Sequence, residues 1–217
     1  IATGAFATVV IVINLVIKSP TFDNIWDKAN FEIKSNQPEL AEQTLLEIVK
    51  KNIDNIDNHY NYINIHFEIP EKRRIGRRHY EYRDDRTILA YYDSLAKSTD
   101  YTLSDIGLYG KGLIYSNINN YPDAIAYFYL VKNKKLKYLN NSLGYVHKQI
   151  GATNRAKHYY KEEIASNGYI TGAYPNLIQL YYYNNEIDEL KQLLNNPEIR
   201  QYFSPRIERI VYFKSLQ

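Results

Sequence analysis

The sequence predicts an all-α fold in which antiparallel helix pairs stack into a solenoid. The first observation is a small or apolar residue that recurs at intervals of 34, 32 and 34 positions: Ala90, Ala124, Ala156 and Leu190. The second is a glycine twelve positions before Ala124 and again before Ala156, at Gly112 and Gly144. A period near 34 residues is typical of two-helix repeats that bury their core against neighbouring repeats.

The unit around Ala124 shows how each pair is expected to form. A first helix runs through Gly112, and Pro122 suits the first turn of a second helix, which follows a turn at residues 119–121. Ala124 and Phe128 then share one face of that second helix. Two closely packed helices need small residues where their backbones approach, and Gly112 and Ala124 supply them. The unit around Leu190 keeps the spacing but loses the small residues, as terminal repeats often do.

These residues resemble the tetratricopeptide repeat family. One unit matches the family pattern at Leu143, Gly144, Gly151, Ala156 and Tyr160, and another at Gly112, Tyr115, Tyr121, Ala124 and Phe128. The closing proline of the family pattern is missing from both units. The resemblance covers roughly residues 24–196, as about five units. It implies a tetratricopeptide-like α-solenoid that works as a protein-interaction module.

Two further units are expected upstream. Ala29 and Ala41 repeat the twelve-residue separation, whereas the next unit is split into a first helix at 57–69 and a second helix at 86–97, centred on Ala90. The predicted organisation is therefore an apolar anchor helix at 1–20, a solenoid at 21–197 with an insertion at 70–85, and a C-terminal helix at 198–217. That last helix either caps the solenoid or connects it to more protein.

The N-terminal run at residues 1–17 carries no charged residue. Spanning a bilayer takes about 20 apolar residues, so the run predicts a membrane-spanning helix or part of one. A cleaved signal peptide and a helix buried on the solenoid are the alternatives. The expected localisation is a membrane. The charges that flank the run do not indicate on which side of the membrane the solenoid lies.

The predicted insertion holds the net charge of the whole protein. Residues 71–86 contain seven basic and four acidic residues, which equals the net charge of +3 of the chain. Insertions in repeat proteins often bind partners, and basic segments near a membrane attract anionic lipids. The expected contact with an anionic surface comes from Lys72, Arg73, Arg74, Arg77 and Arg78. A solvated loop without a ligand and a nucleic-acid contact using Tyr80 and Tyr82 are the alternatives.

We find no catalytic constellation in the sequence. The five histidines are dispersed, cysteine is absent, and no glycine-rich phosphate loop or nucleophile elbow occurs. His66 and His147 occupy a position that is usually tyrosine in the family, which indicates a packing role. We therefore expect neither enzymatic activity within these residues nor a cofactor or metal site.

The family resemblance implies that ligands contact first-helix residues on the inner, concave face. The corresponding positions here are Asn30, Tyr60, Asn61, Asn64, Tyr109, Asn141, Tyr145, Lys148, Asn176, Gln179 and Tyr182. Their amide and phenol groups suit a neutral peptide or a folded protein. The charged clamp that some family members use for acidic C-termini is missing, because Trp26, Asn30, Tyr109 and Leu113 stand at its positions. The expected function is a membrane-tethered adaptor, or the regulatory or scaffolding part of a larger membrane enzyme, transporter or secretion complex.

Overall fold

The all-α prediction is confirmed by a computed structural model that describes residues 25–35, 37–68, 72–74, 80–168 and 172–214. The described elements include one short antiparallel hairpin of strands β1 and β2, which the sequence analysis did not predict. The elements in chain order are α1 (Ile25–Lys34), α2 (Pro38–Lys51), α3 (Ile56–Glu68), β1 (Lys72–Arg74), β2 (Tyr80–Tyr82), α4 (Asp85–Ala96), α5 (Tyr101–Asn117), α6 (Tyr121–Leu130), α7 (Leu139–Gln149), α8 (Thr153–Asn167), α9 (Ala173–Tyr183), α10 (Ile187–Leu194), α11 (Pro197–Arg200) and α12 (Pro205–Lys214).

Consecutive helices pack as antiparallel pairs. Helix α1 packs on α2, α5 on α6, α7 on α8 and α9 on α10. In the α5–α6 pair, Gly112 lies near the end of the first helix and faces Phe128 in the second half of the next. Because only a short turn separates the two helices, this contact requires them to run in opposite directions.

The same turn closes three of these pairs. Asn119, Gly151 and Asn185 each follow a first helix with positive φ angles of 61°, 77° and 58°. The N–H group of the next residue then donates to a carbonyl five residues back, as from Ala152 to His147 at 2.8 Å. Glycine and asparagine are the residues that best tolerate this left-handed helix ending. The repeat period is therefore visible in backbone geometry as well as in composition.

In the α5–α6 and α7–α8 pairs, the glycine of the first helix contacts a different residue from the one expected. A Cβ atom added at Gly112 would lie 2.4 Å from the ring of Phe128, and one at Gly144 would lie 2.5 Å from the ring of Tyr160. Each glycine therefore makes room for the aromatic residue four positions after the alanine, not for the alanine itself. Ala124 and Ala156 are nevertheless fully buried, as expected for core positions.

The expectation that Ala90 is the core residue of α4 is wrong, because its side chain is exposed. Ile88 and Tyr92 are fully buried instead, and α4 packs closely along α5. At that contact Gly107 lies directly against the backbone of Ala96. Ala90 lies 34 positions before Ala124, but the insertion splits its own unit, so the repeat period alone did not fix which face of α4 turns inward.

The apolar core consists of two clusters of buried side chains. One extends from Ala29 to Val146, and the other runs from Ala156 to Val211. The C-terminal helix α12 packs against α10 and contributes Val211 to the second cluster. Its outer face keeps Tyr212 and Phe213 exposed.

Candidate functional site

Four helices line a cleft of about 220 Å³. Helices α3, α5, α7 and α9 each supply side chains, and the turn after α5 supplies one more. The lining residues are Tyr60, Asn64, Leu113, Ser116, Asn117, Asn119, Asn141, Ser142, Tyr145 and Asn176. All ten are uncharged, and nine carry an amide, hydroxyl or phenol group. The cleft can therefore donate and accept hydrogen bonds, but offers no ion pair to a ligand.

Contacts between helices hold the polar groups of the cleft in place. Asn176 on α9 donates to the Asn141 side-chain oxygen on α7 at 2.9 Å. Beneath them, the hydroxyl groups of Tyr109 and Ser142 are 3.2 Å apart. Ordered polar side chains lose less conformational entropy on binding a ligand than mobile ones do.

Helix α3 contacts the start of α7 across one end of the cleft. The Asp57 carboxylate accepts a hydrogen bond from the Lys137 ammonium at 2.6 Å and another from the Tyr138 hydroxyl at 2.6 Å. The rings of Tyr60 and Tyr138 stack with their centres 4.2 Å apart. Burial opposes ionisation of Asp57, but these two partners outweigh it and lower the pKa of the carboxyl. Burial, with the hydrogen bond to Asp57, raises the pKa of Tyr138 to about 12.

A buried carboxylate fixes the helix that carries three of the lining residues. Glu163 on α8 accepts the backbone N–H groups of Tyr138, Asn140 and Asn141 at 2.8, 3.0 and 3.2 Å. It thereby satisfies donors that the first turn of a helix leaves unpaired. Burial nevertheless raises the pKa of Glu163. Tyr138 itself adopts a φ of 70° at this junction.

The structure brings together five of the eleven residues expected on the concave face. Tyr60, Asn64, Asn141, Tyr145 and Asn176 line the cleft.

The other six lie elsewhere. Asn30 and Asn61 are exposed on their helices, and Tyr182 is half-buried. Lys148 donates to Gln179 at 2.6 Å, so these two side chains pair with each other. The expectation that Tyr109 contacts a ligand is corrected, because its side chain is fully buried beneath the cleft.

Sequence reasoning missed the contribution of α5 and its turn. Leu113, Ser116 and Asn117 lie on the cleft side of α5, and Asn119 follows in the turn. The signal was available, since these residues follow Tyr109 at the three- and four-residue spacings that share one helix face. Ser142 could have been found in the same way, because it lies three positions before Tyr145 on α7.

The three buried histidines of the described residues, His59, His66 and His147, contact neighbouring helices. Buried His66 places Nδ1 2.9 Å from Glu42 and Nε2 3.0 Å from Asp85, which joins α2, α3 and α4. His59 instead contacts the Tyr92 hydroxyl at 3.0 Å. Within the described ranges, no group of three or more histidine or acidic side chains is arranged to hold a metal ion.

The basic segment forms a hairpin in its described part. Lys72 pairs with Tyr82, Arg73 with Glu81 and Arg74 with Tyr80 across the two strands. Arg77 and Arg78 lie outside the described residues, as does the apolar run at 1–17. Of the helices in the described part of the chain, none has the length and apolar composition needed to cross a membrane.

Comparisons with known proteins add no family assignment. No protein-family model matches the chain, and no curated protein matches it significantly in sequence.

Proposed function

We propose that this chain is a tetratricopeptide-like interaction module that binds a protein or peptide partner in the cleft lined by α3, α5, α7 and α9. The repeated left-handed turn after the first helix supports a solenoid of this type, since Asn119, Gly151 and Asn185 recur at the repeat period. Repeat solenoids commonly bind partners on the surface that their first helices form.

The observation that carries this proposal is the composition of the cleft. Five asparagines, two serines and two tyrosines converge there from different helices. Asparagine can donate to and accept from a peptide group at the same time, and tyrosine gives a large contact area at little cost in conformational entropy. In the described residues, the Asn64 amide has no hydrogen-bonding partner within the protein, which leaves it available to a ligand.

The proposal includes a tether at the membrane. The apolar run at 1–17 would anchor the module, and the hairpin arginines would then lie near anionic headgroups, which attract basic segments. In the alternative arrangement, the same module serves as the regulatory or scaffolding part of a larger membrane enzyme, transporter or secretion complex. Both arrangements use the same cleft for partner binding.

Selection of displayed random peptides on the purified protein tests the proposal. Peptides that bind the cleft should bind Asn64→Ala and Tyr145→Ala about tenfold more weakly, which is the loss expected for contact residues near an interface centre. Asn30→Ala and Asn61→Ala are matched controls, because both residues are exposed outside the cleft and should leave affinity unchanged. Selected peptides that bind all four variants equally would contradict the proposal.

A further inference from the structure

The cleft is closed at one end and open at the other. Helices α3 and α7 both pack on α5, and they meet each other where Asp57 and Tyr60 contact Tyr138. Asp57 is the second residue of α3, and Tyr138 directly precedes α7, so the closure lies at the N-terminal ends of both helices. We name this closure, formed by Asp57, Tyr60, Lys137 and Tyr138, the tyrosine wall.

The open end lies toward the C-terminal ends of the same helices. Asn64 is in the second half of α3, Ser116 is in the last turn of α5, and Asn119 is in the turn that follows. Tyr145, in the second half of α7, is 39% exposed and stands at the same end. A ligand therefore enters past Asn64, Asn119 and Tyr145 and stops at the tyrosine wall.

The size of the cleft distinguishes between two ways of binding a peptide. The cleft volume of about 220 Å³ lies below the ~300–1,000 Å³ of pockets that enclose a drug-sized ligand. The cleft therefore has room for one or two side chains and not for a segment of several residues.

The lining also restricts the chemistry of the inserted group. A charged side chain would lose hydration without finding an opposite charge among the ten lining residues. An apolar side chain would leave buried amide and hydroxyl groups unpaired, which also costs free energy. An uncharged side chain with hydrogen-bonding groups avoids both penalties. Asparagine, glutamine, serine, threonine and tyrosine have this character.

We infer that the partner inserts the tip of a loop carrying an uncharged hydrogen-bonding side chain into the open end of the cleft, and that no extended segment runs along it. This inference rests on the proposed function and specifies how the partner is held. The partner is thus a folded protein with a projecting loop.

Two random peptide libraries of equal length test this inference, one linear and one closed into loops by a disulfide. The loop library should yield binders that share an uncharged polar residue at the tip and lose about tenfold in affinity to Asn64→Ala and Tyr145→Ala. Linear binders with the same sensitivity and equal affinity would overturn the inference and leave the proposed function standing. If binders from both libraries had the same affinity for the two variants as for the unchanged protein, the inference and the proposed function would both be overturned.

A change in the tyrosine wall gives a second test. Tyr138→Asn removes the ring, and asparagine tolerates the positive φ angle at this position. With the wall open, linear peptides should bind the variant at least ~10-fold more tightly than the unchanged protein. Circular dichroism would verify that the variant is folded. If a folded variant bound linear peptides no better, the wall would not be what excludes extended segments.

Discussion

The carboxylate of Glu163 on α8 accepts the backbone N–H of Asn141 on α7 at 3.2 Å, and this contact fixes a helix that lines the cleft. The same carboxylate also accepts from the backbones of Tyr138 and Asn140 and from the side chain of Asn167. One fully buried group thus joins the helix pair to the tyrosine wall.

Replacing this carboxylate should destabilise the protein. In Glu163→Gln, an amide NH₂ group would face backbone donors, so at least one buried N–H loses its acceptor. We expect the free energy of unfolding in urea to fall by about 1–3 kcal/mol. Glu162→Gln is the matched control, because the Glu162 side chain is exposed. This substitution should change the free energy of unfolding by less than about 0.5 kcal/mol. Equal stability of the two variants would show that the hydrogen bonds of Glu163 to the start of α7 contribute nothing to the free energy of unfolding.

A pair of alanine substitutions tests the packing register. Ala124 is fully buried, so Ala124→Leu should overpack the contact between α5 and α6 and destabilise by about 1–3 kcal/mol. Ala90→Leu places the same added volume on the exposed face of α4, where leucine is nearly as good a helix former as alanine. Its melting temperature should stay close to that of the unchanged protein. If Ala90→Leu lowered the melting temperature more than Ala124→Leu, a different register for α4 would be required.

Stability should decrease as the pH falls below about 6.5, the ordinary pKa of histidine. Burial lowers the pKa of His59, and burial together with the charge of Arg155 lowers the pKa of His147. At these two histidines the unfolded chain binds more protons than the folded protein in this range, so their titration favours unfolding on acidification. The stabilisation by these neutral histidines is fully present above their pKa in the unfolded chain. It is lost as the pH falls toward their lower pKa values in the folded protein.

Urea unfolding at several pH values measures this effect. Each unit of pKa difference corresponds to about 1.4 kcal/mol. The variant His59→Gln removes one titrating group, so its free energy of unfolding should vary less steeply between pH ~7.5 and ~6. An unchanged slope would mean that His59 does not contribute to the acid sensitivity.

Binding to anionic vesicles tests the proposed membrane contact of the hairpin. Basic residues near an anionic surface contribute about 1 kcal/mol each, so Arg73→Ala with Arg74→Ala should weaken co-sedimentation with phosphatidylserine vesicles. Adding Arg77→Ala and Arg78→Ala should weaken it further. The paired change of Arg206 and Arg209 to alanine removes the same charge from α12, where both side chains are exposed. If this control pair weakened binding equally, the hairpin would not be a specific contact.

Local preferences made much of the helical scaffold predictable. The turn at Asn119 was expected from its residue type, and the same left-handed helix ending recurs at Gly151 and Asn185. Buried positions such as Ala29, Ala41 and Ala156 followed from the repeat spacing. The hairpin of β1 and β2 was missed, since its strands comprise only three residues each and β1 consists of lysine and arginine.

The candidate site was only half predictable, and the reason is the distance along the chain between its parts. The sequence by itself determined helix pairs and their turns, because these depend on spacing within one repeat. The family resemblance pointed to five of the residues that line the cleft. Only the tertiary structure decided that Ala90 is exposed and that Tyr109 is covered. It also decided that Asp57 meets Tyr138, 81 positions away, beside the cleft. Such a contact depends on how tightly successive repeats curve around α5, and that curvature comes from the sum of many side-chain contacts rather than from any local pattern.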